Sequence, residues 1–359
     1  MADSFTSIPI IDLSPTTANK PQQLAQLHHA LTSVGFLYIR NHDVCADAIA
    51  DLVGALPRLF ALNDTAKEQI ALHHSPHFLG YSCVGAETTA GNLDYREQVE
   101  YATELAQTWT PENGQPLYER LKGPNQWPSE LPNLRPIVER YMRELTSLGE
   151  RFLRLVAEAL GLPSSETFFP FLSEQHRLKL VHYPAGHTAD QGQGQGVGPH
   201  KDSSGWWTFL LQASPPHIQG LQALNRAGQW IDIPNIPGTF VVNIGQAFEV
   251  VTHGVCKATV HRVLSGPEER YSIPFFQGVR GSLTKTEALD SLKEYFQPRR
   301  GNDNDDDNNN EDNYNNIDSP FLNGNYNTWG ESQLRTKIRS HRDVGSKFYA
   351  DVYEQYVND

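Results

Sequence analysis

Between Leu134 and Leu160 apolar residues recur three or four positions apart, at Ile137, Val138, Tyr141, Met142, Leu145, Leu148, Phe152, Leu155, Val156 and Ala159. That spacing gathers them on one stripe and predicts an amphipathic helix lying against a sheet. Gly161-Leu162-Pro163 ends it, because Gly suits a helix C-terminus and Pro cannot continue one. Upstream, the pattern predicts a short apolar run at Ile8 to Leu13, a helix over about Pro21 to Ser33, and a strand at Gly35 to Ile39 that stops at Asn41-His42. From His176 to Gly278 the texture changes to short apolar runs broken by Gly, Pro and Asn: LKLVHYP, WWTFLLQ, GLQAL, TFVVNIG, ATVHRVL and YSIPFF. Evenly spaced short strands of this kind predict a jelly roll or barrel. Helical spacing returns from Glu331 to Tyr356, and no internal repeat is visible. The expected fold class is α+β in one domain over residues 1–359: a mainly helical part at 1–175, a β core at 176–280 and a helical segment at 331–356.

Composition narrows the function more than the fold. Hydrophobic residues at 38% and charged residues at 20% describe an ordinary globular chain, and no apolar run has the length of a membrane span. The opening MADSFTSIPIIDLS lacks the basic start and apolar core of a signal peptide, so a cytoplasmic protein is expected. Cys45, Cys83 and Cys256 are widely spaced with no CxxC pair, which suggests neither a disulfide framework nor a thiolate zinc site. A formal charge of −13 argues against nucleic acid as a partner. Much of that charge is local: residues 301–313, GNDNDDDNNNEDN, carry six carboxylates and no cation. They read as a disordered, self-repelling insertion outside the core.

Gly198-Pro199-His200-Lys201-Asp202-Ser203 sets an imidazole and a carboxylate two residues apart, where a strand end points both the same way. In a chain with 14 histidines such a pair arises by chance, and alone it reads as part of a solvated loop. His261, about sixty residues on in another apparent strand, could complete a set if barrel closure brought it alongside. Two histidines and one carboxylate leave open positions, as in non-haem iron(II) oxygenases; zinc is the rival metal. Arg270-Tyr271-Ser272 comes next, and strand alternation sends Arg270 and Ser272 to one face. A guanidinium fork with a neighbouring hydroxyl suits a carboxylate at the closed end of a pocket, whereas an isolated pair of this kind would be a surface salt bridge.

These residues resemble the iron/ascorbate-dependent oxidoreductases, the branch of 2-oxoglutarate dioxygenases that includes isopenicillin N synthase and the plant flavonoid oxygenases. The likeness runs from IPIIDLS and GFLYIRNH, through LKLVHYP and HKDSSGWWTFLLQ, to VVNIGQAFEVVTHGVCKATVHRV and RYSIPFF; the closing TWGESQLRTKIRSH looks like fungal members. The resemblance implies a double-stranded β-helix (jelly-roll) core with flanking α-helices. It implies iron(II) ligation by His200, Asp202 and His261, and binding of the distal 2-oxoglutarate carboxylate by Arg270 and Ser272. Tyr183 matches a tyrosine that can contact the co-substrate, although Val181 stands where many members have Asn; Gln246 stands where many have Asp. The Gly- and Gln-rich loop between Pro184 and Pro199 departs from the family's tighter pattern.

The reaction implied couples oxidative decarboxylation of 2-oxoglutarate to succinate and carbon dioxide with oxidation of a small organic molecule by dioxygen, most simply hydroxylation, in secondary metabolism and with ascorbate as reductant. A monomer without membrane or nucleic-acid partners is expected. Substrate contacts are expected from Tyr81, Arg96, Trp206, Phe209 and Phe275, with only one of the adjacent Trp206 and Trp207 able to point inward, and the segment His77 to Tyr101 could form part of the entrance. Two alternatives stay open: an iron oxidase of the same fold independent of 2-oxoglutarate, and a non-catalytic barrel.

Overall fold

The short apolar runs do form strands. The computed structural model describes residues 4–14, 19–89, 91–186, 194–296 and 317–358; the acidic segment 301–313 lies outside them. Fourteen strands occur among the described residues: β1 (Ile10–Asp12), β2 (Phe36–Arg40), β3 (Gly80–Ser82), β4 (Thr88–Thr89), β5 (Asn92–Leu93), β6 (Glu97–Ala102), β7 (Arg177–Tyr183), β8 (Gln195–His200), β9 (Trp207–Gln212), β10 (Leu221–Leu224), β11 (Trp230–Asp232), β12 (Thr239–Ile244), β13 (His261–Leu264) and β14 (Arg270–Phe276). Eight make one sheet in the order β1-β2-β12-β9-β14-β7-β6-β3, and four make a second in the order β11-β10-β13-β8; β4 and β5 pair alone. The two sheets form the jelly roll, and with the helices the fold is α+β.

Strand alternation divides the large sheet into two surfaces with different tasks. One packs on the helices Ala46–Phe60 and Leu134–Ala159, burying Leu52, Leu56, Leu145, Phe152, Trp207, Phe209 and Phe275. The predicted stripe on the long helix is therefore the stripe that meets the sheet. The other surface faces the small sheet, where Phe36, Tyr38, Val181, Val197, Leu221 and Val263 form a second apolar cluster. Polar residues occupy the rest of that inner surface and wall a cavity.

Two expectations are filled out and one needs correction. Besides their helices, the first 175 residues supply β1, β2, β3 and β6, which extend the large sheet on both sides of the core strands. Trp206 and Trp207 are both fully buried on the helix side: Trp206 packs edge-on to Phe168 and Phe171, Trp207 to Phe152. Alternation does not separate them, since Trp206 precedes the first residue of β9. The C-terminal segment is three helices, Trp329–Ser340, Arg342–Phe348 and Ala350–Asn358. The first is started by a capping box in which the Thr328 hydroxyl accepts the Glu331 N–H while Glu331 accepts the Thr328 N–H.

Two local contacts anchor strands at opposite ends of the core. Gly35 turns the chain into β2 at φ 74°, and a side chain there would overlap the Lys257 carbonyl and the Thr259 hydroxyl. That hydroxyl donates to the Val34 carbonyl at 2.7 Å, tying the approach to His261 against β2. At the other end, His176 leads into β7; its Nδ1 accepts the Gly278 N–H at 3.0 Å just past β14, and its ring meets the Phe275 edge.

Burial pushes the His176 imidazole down to about 4 from 6.5. A depressed histidine is neutral in the fold and protonates more readily when unfolded, so its contribution is complete above about pH 6.5 and is lost as pH falls from there to about 4. Stability measured by urea unfolding should drop over this window by roughly 2–3 kcal/mol, and His176→Gln should flatten that part of the profile. An unchanged slope in the variant would show that His176 is not the group responsible.

Candidate active site

β8 ends at His200 and β13 begins at His261, and the two residues are direct partners across the small sheet. Each imidazole Nδ1 faces a carbonyl two residues back on its own chain, Gly198 O at 2.8 Å and Thr259 O at 3.1 Å. Donating there fixes the tautomer and leaves each Nε2 with a free lone pair. Both Nε2 atoms converge on Asp202 Oδ1, 3.6 Å from each. Asp202 is aimed by its other oxygen, Oδ2, which accepts from the Thr208 hydroxyl at 2.5 Å and from Asn243 Nδ2 at 2.6 Å. Burial alone would raise the Asp202 carboxyl, yet His261 and His200, with the Thr208 hydroxyl, hold it well below the usual range. Burial takes His261 down to about 4, with His200 adding to the effect. Two imidazole nitrogens and a carboxylate oxygen facing one another fit a divalent first-row metal. A second group with metal-ligand chemistry, Glu68, His73 and His74, lies largely on the surface.

The same inner surface carries the second constellation. β14 begins at Arg270, directly opposite Tyr183 of β7, and two residues on Ser272 sits opposite Gln212 of β9. Arg270 is 4% exposed; its guanidinium lies 5.0 Å from the Tyr183 ring centre and reaches the Gln212 side-chain oxygen at 3.4 Å. Burial depresses its pKa, with Tyr183 opposing the shift. Arginine stays protonated nonetheless, and Nη1 has no hydrogen-bond partner among the described residues. A buried cation with an unused donor calls for an anion, and a carboxylate matches its fork.

Metal-type ligands and guanidinium open on one cavity of about 380 Å³, walled by His200, Asp202, His261, Arg270, Ser272 and Tyr183 among others. Arg96 lines it too, but is engaged with Glu87 at 2.6 Å and Asp94 at 3.1 Å. The expected contacts from Phe209 and Phe275 are overturned: both are fully buried on the helix side, while Thr208, Leu210, Pro274 and Phe276 of the same strands face the cavity. Trp206 belongs to the helix-side core as well. Tyr81 also points elsewhere, donating its hydroxyl to Glu97 at 2.6 Å. The segment 77–101 does reach the cavity, through Glu87, Thr88, Thr89, Arg96 and Glu100.

Several wall residues are not evident from the sequence. Thr208 and Asn243 carry a signal, each a polar residue next to the end of a mainly apolar strand. Lys337 and His341, from the Trp329–Ser340 helix and the residue after it, carry none, because the approach of that helix to the sheet depends on the whole chain.

Residues 8–130 match the model of the non-haem dioxygenase N-terminal region named for morphine synthesis, and residues 175–279 that of the 2OG-Fe(II) oxygenase superfamily. A 2-oxoglutarate-dependent dioxygenase, frbJ, of Dothideomycetidae sp. is 42% identical over 99% of this chain and 94% of its own. The chain belongs to the 2OG-Fe(II) oxygenase superfamily. A second 2-oxoglutarate-dependent dioxygenase, of Gibberella zeae, is 34% identical over 99% of this chain and 94% of its own. In fold the oxygenase also matches a full-length Neurospora crassa protein crystallised with α-ketoglutarate and 5-formyluracil, at a TM-score of 0.65 and 24% identity over 81% of this chain and 91% of that one. The protein is a 2-oxoglutarate-dependent dioxygenase acting on a small molecule. No helix among its described residues is long and apolar enough to cross a membrane.

The two phenylalanines at the end of β14 separate core from cavity. Phe275→Ala should cost about 3–5 kcal/mol of stability. Phe276→Ala should cost far less and instead alter the KM of the primary substrate. Urea unfolding and succinate release measured on both variants check this; a Phe275 variant of normal stability with an altered KM would reverse the assignment.

Proposed function

We propose that His200, Asp202 and His261 hold iron(II), and that Arg270, with Ser272 and Tyr183, holds the far carboxylate of 2-oxoglutarate. The observation that carries this is the unused Arg270 Nη1, buried in the same cavity as three converging ligand atoms. When bound, the iron and 2-oxoglutarate supply the oxidising chemistry, with succinate and carbon dioxide as by-products and the primary substrate most simply hydroxylated.

The chain's own contribution is geometry. The Gly198 and Thr259 carbonyls keep both Nε2 atoms available, and Thr208 with Asn243 keeps Asp202 Oδ1 turned toward them. Arg270 provides a guanidinium fork with Nη1 free among the described residues, Ser272 a further hydroxyl, and the Tyr183 ring flanks the guanidinium. The apolar cluster of Val181, Val197, Leu221 and Val263 keeps water from the surroundings of the site. We further read the enzyme as a cytoplasmic monomer of secondary metabolism that uses ascorbate as reductant.

Asp202→Ala removes the anionic ligand, and manganese(II) affinity by calorimetry and succinate formation should both collapse; His200→Ala and His261→Ala should behave alike. Arg270→Lys keeps the charge and loses the fork, so the KM for 2-oxoglutarate should rise by about tenfold to a hundredfold, the loss of one hydrogen bond to a charged group. Manganese affinity should stay close to that of the parent. A 2-oxoglutarate titration that overlays the parent's would remove Arg270 from the anchor.

A further inference from the structure

Glu100 on β6 and Lys179 on β7 are direct cross-strand partners, and both side chains face the cavity. The Lys179 ammonium lies 3.7 Å from Glu100 Oε2 and 3.7 Å from Glu87 Oε1, too far for a hydrogen bond to either. Glu100 is 1% exposed, and its Oε2 has no hydrogen-bond partner among the described residues. Its Oε1 is by contrast crowded, taking Arg177 at 2.6 Å and Lys337 at 2.5 Å. Arg177 is used up, since it also donates to the Phe78, His77 and Leu121 carbonyls. An under-used ammonium and an under-used carboxylate oxygen thus sit side by side in the wall.

The charge of this wall sets what can enter. Arg96, Arg177, Lys179 and Lys337 face Asp94, Glu87 and Glu100, four cations to three anions, and His341 sits 3.2 Å from Glu87. Lys179 can take an anionic group, while Glu100 Oε2 needs a donor. A simple anion would leave Glu100 Oε2 without a donor, and a simple cation would leave Lys179 without an acceptor; a neutral amide could hydrogen-bond to both but would match neither charge.

We propose that Lys179 and Glu100 form the subsite for the carboxylate and the ammonium of a free α-amino acid, the primary substrate of the oxygenase. An amino acid carries both charges on one carbon, as Nζ and Oε2 stand adjacent here. Lys337, from the Trp329–Ser340 helix, holds the other oxygen of Glu100. The side chain of the amino acid is then left to run toward His200, Asp202 and His261 in the same cavity. This inference rests on the placement of iron and 2-oxoglutarate proposed above.

The test uses full-length protein with manganese(II) and 2-oxoglutarate, a panel of the twenty common free L-amino acids, and thymine and butyrate as neutral and purely anionic controls. Binding is read by the shift in melting temperature and turnover by succinate release with iron(II). At least one free amino acid should bind and raise succinate release. Its N-acetyl derivative and its methyl ester should each bind about tenfold or more weakly, the loss expected for a charged hydrogen bond. Lys179→Met, which breaks no short contact, should weaken the free amino acid by a similar factor and its ester by less than about twofold, because the ester no longer offers Lys179 a charge. The inference is overturned if no amino acid in the panel binds, if either control binds and turns over as well, or if the variant weakens acid and ester equally. Should manganese(II) and 2-oxoglutarate themselves raise the melting temperature while no amino acid does, only the amino-acid subsite falls. Should they fail to, the placement of both groups falls and takes this inference with it.

Discussion

The pairing of His261 with His200 is the contact on which the site depends. A strand slipped by one residue presents its opposite face, so a shift of β13 against β8 would turn His261 away from Asp202 and leave the aspartate with a single imidazole. Register is held from outside the pair. Val263 is buried between the sheets opposite Val197 and penalises a slip, while Thr259 is tied to Val34 and pressed against Gly35 just before the strand begins. The metal-type site therefore inherits its geometry from apolar packing and one glycine, with the histidines themselves contributing little to it.

The large sheet solves a different problem, how to bury a guanidinium without a counter-ion from the chain. An uncompensated charge in a protein interior is costly, and among the described residues Arg270 is offset by a long contact to Gln212 and by the Tyr183 ring. The fold tolerates it because the helix side of the same strands is packed with aromatic residues, Phe152, Trp207, Phe209 and Phe275, in edge-to-face and tilted contact. One surface of each strand is optimised for stability and the other is left deficient for binding. A ligand carboxylate gains what the chain withholds.

Much of this could be read from the sequence because it is local. The HxD pair, the RxS pair and the short punctuated runs depend on strand alternation and turn chemistry, which act over a few residues. The same alternation was enough to place Phe275: if Arg270 and Ser272 face the cavity, Pro274 and Phe276 do and Phe275 does not. Likewise Asp202 and Thr208 share a site six residues apart only because the chain bends before β9, and that bend also lets Trp206 join Trp207 in one core. The helical spacing over 331–356 showed helix but not the breaks near His341 and Tyr349. Nothing in it showed that Lys337 would meet Glu100, a contact 237 residues apart in the chain.

That distant contact bears on selectivity. A wall of apolar residues would bind more simply, since ion pairs gain little once desolvation is counted. It would also discriminate weakly, because a missing methylene costs little, whereas a buried polar group left without its partner penalises the wrong ligand heavily. The lattice around Glu100 satisfies Oε1 twice over and, among the described residues, leaves Oε2 without a hydrogen bond and Lys179 with only long ion pairs, so on the proposed reading the penalty for a wrong ligand falls at one place in the wall. The Trp329–Ser340 helix is then part of the wall, for its Lys337 pairs with Glu100. Burial lowers the Lys337 ammonium to about 8, with Glu100 working against the shift. The ion pair thus works against the burial that lowers this lysine, and joins the helix to the charged wall.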